Sequence, residues 1–445
     1  FGAYFSEQNT WWPYFPLWSA YNSRLSAVFQ HTEPVVDVAI LTPEADIWQH
    51  HGLNRQPYYM NPWYHHDLWE GFSRAGIAAD YINEGVILRA SAKEGNMQSE
   101  NCSYQLVIVS SPETMEPETL KSIRALAQQG VRFLFVDHYP ERSPGFFEKE
   151  KNDEEVRKQV DLLKGLEEIS LLPPPADSSY VTAWAQEVIA TYRLRSTITL
   201  DPVSPFIYTA KYQLGKSEIF FISNQNEEQE ERFQISIDRE NTTPWIWDPE
   251  TGNRSIYPFS DHGTLAIRLQ PLESMLLVLE ERSEGDPYSS LIPSDHHINE
   301  LEADWVMEFF PAFGESFVLS EVQLMDFAHS TDPRISGFAG KVRYSTTFEL
   351  EDSDWAFLDL GMMPHISEVV LNGHKIGTRW YGRHLYPLEA ELLRPGINEL
   401  QILYTTTLAN YANTLKDNRV ARSWIRLKEA EPMGLKAPVR LLGSN

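Results

Sequence analysis

Residues 359–410 read DLGMMPHISEVVLNGHKIGTRWYGRHLYPLEAELLRPGINELQILYTTTLAN, and their pattern decides the fold of the C-terminal third of the chain. Val369 and Leu371 fall on one face and Glu368 and Val370 on the other, the period-2 alternation of a half-buried strand. Asn372-Gly373 follows at once, a pair suited to the positive φ angles of a tight hairpin turn. Pro395-Gly396 marks a second turn, after which Leu400, Ile402 and Tyr404 alternate again. Between the turns lies a dense aromatic and basic patch: Arg379, Trp380, Tyr381, Arg383, His384 and Tyr386. This predicts a β-sandwich with Arg and aromatic side chains at a loop edge. The patch is a candidate sugar-binding surface through Arg379, Trp380, Tyr381 and Arg383; the plainer alternative is edge packing.

At 445 residues the chain predicts about two to four domains, since single cores rarely grow past about 250–300 residues. The formal charge of −26, from 63 acidic and 37 basic residues, argues against nucleic acid and anionic membrane surfaces, both of which need a basic footprint. No apolar run of about 18 residues is present, so no membrane-inserted helix is expected. The single cysteine, Cys102, excludes an intrachain disulfide and a multi-cysteine metal site. The chain opens on Phe1 with no visible leader, and the expectation is a piece or processed form of a longer protein. Its expected location is periplasmic or secreted.

Upstream of the C-terminal sandwich the pattern changes twice. In residues 1–33 a strand over Gly2–Phe5 and a helix capped at Asn9-Thr10, with Trp18, Tyr21, Leu25 and Val28 at helical spacing, predict one βα unit. Such a unit reads as the C-terminal end of a (β/α)8 barrel, in which Glu7, Asn9, Trp11 and Trp12 occupy the loop on the catalytic face. Packing of both Trp side chains beneath the next domain is the alternative. Residues 34–175 alternate strands (Val35–Leu41, Ile77–Ile82, Gln105–Ser110, Val131–Val136) with helices, one opened by Asn61-Pro62 and one by Pro117, which predicts a parallel α/β sheet. Its layout is flavodoxin-like or amidotransferase-like. An amidotransferase places a cysteine at the strand-to-helix turn, and here the turn reads Ser110-Ser111-Pro112-Glu113, so the nucleophile position is empty. No glycine-rich phosphate loop follows the first strand. His65-His66-Asp67 lack the i, i+4 spacing that aligns two ligands on one helix face. The charged run EKEKNDEEVRKQ at 148–159 and Leu171-Leu172-Pro173-Pro174-Pro175 predict a solvated helix and a linker. A small β-sandwich over 176–285, a polar connector over 281–300 and the last domain at 301–445 complete the order.

These residues carry a resemblance. NTWWPYFPLWSAYNSRLSAVFQHTEPVVDVAILTPE at 9–44 is similar to the barrel-to-α/β junction of glycoside hydrolase family 106, the α-L-rhamnosidase-like enzymes. FISNQNEE at 221–228 and WIWDPETGNRSIYPF at 245–259 match its middle sandwich. FAGKVRYSTTFEL, LDLG, EVVLNGHKIGTRW, LRPGINELQI and TTTLAN, between 338 and 410, match its last domain, which also looks like the galactose-binding-like jelly roll of family 2 glycosidases. The resemblance implies hydrolysis of terminal α-L-rhamnosides with inversion, a Glu pair in the barrel and calcium dependence of the full-length enzyme. It implies an oligosaccharide or polysaccharide as substrate. It also implies a barrel earlier in the same polypeptide, with this chain inactive on its own and no cofactor assigned to it. Glu7 is the one carboxylate on a candidate barrel loop, and inversion needs two carboxyl groups about 6.5–9.5 Å apart. Tyr381-Gly382-Arg383-His384 departs from the proline-rich segment expected there. A stand-alone carbohydrate-binding protein built on the C-terminal domain is the alternative.

Overall fold

The computed structural model describes residues 6–51, 62–260, 263–288, 293–351, 354–389, 391–419, 421, 430–436 and 438–444. The strand expected at Gly2–Phe5 and the cap expected at Asn61 lie outside these residues.

A five-stranded sheet, all parallel, takes the order Ala79–Ile82, Val38–Leu41, Leu106–Ser110, Phe133–Val136, Ile169–Leu172. Its strands are near-continuous apolar runs because both faces are covered, as parallel sheets require. Val107, Val109, Phe133 and Phe135 pack under the helices Pro117–Ala127 and Lys149–Leu163. Val38, Ile40, Leu106 and Ile108 pack under the helices His65–Arg74 and Val181–Tyr192.

Two expectations change here. Leu171-Leu172 is no linker but the end of the fifth strand, with the prolines following it. Residues 181–192, placed by the sequence reading in the 176–285 unit, form a helix that closes this one instead: a Cβ on Gly71 would sit 2.8 Å from the Val181 carbonyl. The α/β unit therefore runs on to Leu194, which joins the same core.

The middle sandwich pairs a six-stranded sheet (Glu33–Pro34, Ile207–Leu214, Ser217–Asn224, Ser274–Glu280, Thr243–Trp247, Arg254–Ile256) with a three-stranded one (Ile198–Asp201, Glu231–Ile237, Leu265–Leu269). Phe220, Ile222, Phe233, Ile235 and Leu277 fill the space between them. Glu33–Pro34 thus belongs to this sandwich and not to the parallel sheet that follows it in the chain.

The first helix, Phe15–Phe29, lays Leu25, Val28 and Phe29 on the sandwich's outer face against Ile219, Trp245 and Val278. It starts five residues after Thr10, not at Asn9-Thr10, because Pro13 and Pro16 fit the first turns of a 3₁₀ segment (Trp12–Tyr14) and of the helix itself. Thr10 instead donates its hydroxyl to the Thr406 carbonyl in the C-terminal domain. The helix expected from Pro62 likewise begins at His65.

The C-terminal domain is a second two-sheet sandwich. Four strands (Pro293–Glu300, Arg440–Ser444, Phe357–Met362, Arg383–Pro387) face six (Phe317–Val322, Trp305–Pro311, Gly340–Leu350, Gly396–Thr405, Ile366–Leu371, His374–Arg379). The stretch 293–300, expected as connector, is an edge strand, and its residues 296–300 are exposed or half-buried. Asn372-Gly373 turns the predicted hairpin at φ +50° and +81°. Leu400, Ile402 and Tyr404 are wholly buried. Asn398, also wholly buried, stitches the Pro395-Gly396 turn by donating to Arg394 O (2.7 Å) and accepting from Asn372 Nδ2 (2.8 Å).

Candidate functional site

The strand His374–Arg379 ends where the chain must cross from one sheet of the C-terminal domain to the other, and residues 380–382 make that crossing. The crossing faces the middle sandwich and the first helix, not open solvent. Gly382 takes φ +65°, and a Cβ there would lie 2.5 Å from the Pro271 carbonyl. Only glycine combines that backbone angle with so close an approach. Trp380 sets its ring edge-on to Tyr21 of the first helix, centroids 6.2 Å apart, and Tyr21 shares a hydrogen bond with Ser274 (2.5 Å). Arg379 pairs with Glu250 (3.3 Å) and donates from Nε to the Leu385 carbonyl (3.0 Å). Arg383 reaches the buried Asp359 through both Nε (3.0 Å) and Nη2 (2.7 Å), a fork geometry that holds a guanidinium rigidly. His384 and Tyr386, counted in the patch from sequence, are core residues meeting at Ser367. Burial pushes the His384 imidazole down to about 3.

Behind this crossing the two sandwiches enclose a cavity of about 360 Å³. The middle sandwich supplies Asp248, Glu250, Glu273, Tyr257 and Tyr288; the C-terminal domain supplies Arg379, Tyr381 and Arg383. Asp248 ends the aromatic strand Thr243–Trp247 and stitches the turn after it, accepting from the Glu250 amide (2.8 Å) and the Thr251 hydroxyl (2.5 Å). Glu273 accepts from the Gln270 amide (2.7 Å). Burial, more than any neighbour, pushes its carboxyl up to about 7, with the Glu250 charge adding to the shift and Arg379 opposing it. The Tyr381 phenol is raised far above its ordinary value, first by burial and then by Glu250. The three carboxylates and two Tyr side chains from the middle sandwich were not singled out from sequence. Their one signal was the Asp248-Pro249-Glu250-Thr251-Gly252 turn, read there only as a mark of resemblance.

The second predicted group stands elsewhere. Glu7 is exposed and Asn9 donates to the Ser6 carbonyl (3.3 Å). Trp11 and Trp12 lie 6.4 Å apart, and Trp12 stacks on Phe15 at 4.9 Å, so these rings join a partly covered aromatic cluster at the start of the first helix. Nine residues, about 14 Å of helix, separate Trp12 from Tyr21, where Trp380 docks. The two predicted groups do not form one site.

In the α/β unit, Ser111 occupies the strand-to-helix turn at φ +42°, its hydroxyl donating to Asp137 (3.3 Å), while Cys102 lies in a separate three-stranded sheet. His65 is a core residue whose imidazole burial lowers to about 4. Among the described residues no group of three or more His, Cys, Asp or Glu side chains is placed to hold a metal ion. The resemblance assigns calcium to the full-length enzyme, and no step is derived through it here. No helix of the described residues is long and apolar enough to cross a membrane.

Comparison with known proteins gives three findings. The sequence model of glycoside hydrolase family 106, described as alpha-L-rhamnosidase, matches residues 1–260. A Formosa agariphila protein named for beta-glucuronidase activity is 24% identical over 279 residues, covering 60% of this chain and 21% of its own. The solved structure of a rhamnosidase from Novosphingobium sp. PP1Y superposes with a TM-score of 0.65 at 19% identity, covering 99% of this chain and 42% of its own. The chain thus spans less than half the length of either protein.

Proposed function

Because the chain belongs to glycoside hydrolase family 106, the alpha-L-rhamnosidase family, we propose that it forms the accessory α/β and β-sandwich region of a hydrolase acting on α-L-rhamnosides. In this reading the acid and base reside in a (β/α)8 barrel of the same polypeptide, and the substrate is a rhamnose-bearing oligosaccharide or polysaccharide met in the periplasm or outside the cell. The observation that carries it is the match of the family model to residues 1–260, with the fold of 99% of this chain shared by 42% of a rhamnosidase. The first helix acts as the end of the barrel, and the C-terminal sandwich as a jelly roll of the galactose-binding type. Engagement of Arg379 by Glu250 and of Arg383 by Asp359 supports a bracing role for much of the 379–383 patch, over that of an open sugar platform.

The chemistry follows from inversion. A protonated carboxyl delivers its proton to the leaving oxygen while an ionised one takes a proton from the attacking water, so two carboxyl groups must face each other about 6.5–9.5 Å apart. Glu7 alone cannot fill both roles. The purified chain is therefore expected to leave an aryl α-L-rhamnoside intact, while the polypeptide that includes the barrel turns it over with inversion, as proton NMR of the released sugar reports. Turnover by this chain alone, abolished by Glu7→Gln, would overturn the reading.

A further inference from the structure

The cavity between the two sandwiches is built unlike an ordinary packing fault. Voids left by imperfect packing are small and apolar, and polar atoms do not converge on them. This one measures about 360 Å³, within the range of small-molecule pockets (about 300–1,000 Å³), and its walls differ in character. Ile246, Ile267, Leu269 and Met275 give it an apolar floor. Tyr257 and Tyr288 pack on each other at a tilt, with ring centroids 4.9 Å apart and planes 36° apart. The carboxyl groups of Asp248, Glu250 and Glu273 and the guanidinium groups of Arg379 and Arg383 line it as well.

Charge bookkeeping narrows the ligand. Arg383 is neutralised by Asp359 (2.7 Å) and Arg268, also in the wall, by Glu230 (2.5 Å). Arg379 pairs with Glu250 (3.3 Å) and its charge also acts on Glu273, so three guanidinium groups stand against five carboxyl groups, those of Glu230, Asp248, Glu250, Glu273 and Asp359. An anionic ligand would meet net negative charge. Among the described residues no group of three or more His, Cys, Asp or Glu side chains is placed to hold a metal ion. What remains is a neutral molecule with one apolar face and a rim of hydroxyl donors, which carboxylates accept and tyrosine rings stack against. A single pyranose ring has that chemistry and that size.

We propose that the junction between the two sandwiches is a binding site for one neutral sugar ring, with Tyr257 and Tyr288 as its stacking wall and Asp248 and Glu250 as its hydroxyl acceptors. In this role the site holds one sugar unit of a glycan. The choice of sugar rests on the glycosidase reading; the cavity itself does not.

Titration of this chain with L-rhamnose, D-galactose and D-glucuronate, followed by calorimetry or ligand-observed NMR, tests the site. A neutral sugar should bind with a Kd of about 1–10 mM, as expected of a small polar ligand worth only about 3–4 kcal/mol, and glucuronate should bind at least tenfold more weakly. Thr251→Trp, an exposed residue at the cavity wall, should plug the site and abolish binding. Tyr288→Ala should weaken it at least tenfold, and Phe146→Ala, on the exposed surface of the α/β unit, should leave it unchanged. Binding that survives both Thr251→Trp and Tyr288→Ala in folded protein, preference for glucuronate, or no neutral-sugar binding at about 100 mM would each overturn the site. Rhamnoside hydrolysis by the barrel-containing polypeptide is a separate measurement, so failure of the cavity leaves that reading standing, and the reverse.

Discussion

The middle sandwich meets a neighbour on two sides, and the two junctions are built on opposite plans. Toward the α/β unit it is filled and stitched. Ser73 donates to the Thr209 carbonyl (2.7 Å) and accepts from its amide (3.1 Å), while Thr209 donates back to the Ser73 carbonyl (2.6 Å). Glu70 joins Arg74 (2.6 Å) to the Tyr208 hydroxyl (2.8 Å), and Glu33–Pro34 enters the sandwich sheet as an added strand. Toward the C-terminal domain the contact is a rim around empty space: Gly382 on Pro271, Arg379 on Glu250, Trp380 on Tyr21. Burial of paired polar groups without a void fixes one geometry. A rim around a polar cavity leaves room for a ligand. The first junction is built for rigidity and the second for occupancy.

The sharpest way to break this comparison is to attack the rim where it is tightest. Gly382→Ala adds a Cβ 2.5 Å from a backbone carbonyl at φ +65°, combining left-handed strain with overpacking, about 3 kcal/mol together. Hydrogen exchange should then quicken at residues 246–251 and 383–387 and stay slow across His65–Arg74. Equal loosening on both sides would mean that the two junctions are one cooperative unit. Ser73→Ala attacks the stitched side. It orphans the Thr209 amide and carbonyl in a buried setting and should cost about 1–3 kcal/mol in urea unfolding. Sugar binding in the cavity should be unchanged.

What the sequence made legible divides along the same line. Asn372-Gly373, the alternation of Leu400, Ile402 and Tyr404, and the apolar run Leu106–Ser110 are signals carried within a few residues, and each element stands where it was expected. Local signals misled where the environment overrides them. Leu171-Leu172 before three prolines looks like a linker, yet the neighbouring Phe133–Val136 strand supplies its pairing. Residues 293–300 look like a connector because an edge strand with a solvated side needs few apolar residues. The cavity was half legible: Arg379, Tyr381 and Arg383 stood out as a patch. Their partners at 248–250 and 273 are brought up only by the docking of two domains, which leaves no periodicity or spacing to read.

The smallest predicted effect is also the most specific, because the two sides should answer pH in opposite directions. On the stitched side His65 is buried against Tyr81 and His66, and its imidazole is lowered from 6.5 to about 4. Between those values the unfolded chain binds a proton that the folded chain refuses, so this residue's contribution is intact above 6.5 and fades as pH falls toward 4. At the cavity, Glu273 faces Glu250, Asp248 and Arg379, and its carboxyl is raised from 4.5 to about 7. There the folded chain keeps a proton that the unfolded chain has lost, so stability is full below 4.5 and falls as pH rises toward 7. Glu273→Gln should accordingly raise Tm at pH 8 and leave it unchanged at pH 4, while His65→Gln should blunt the loss of Tm between pH 6.5 and 4. A Glu273→Gln protein whose Tm shifts equally at both pH values would show that the carboxyl is held by its hydrogen bond to Gln270 and not by the burial that the cavity wall imposes.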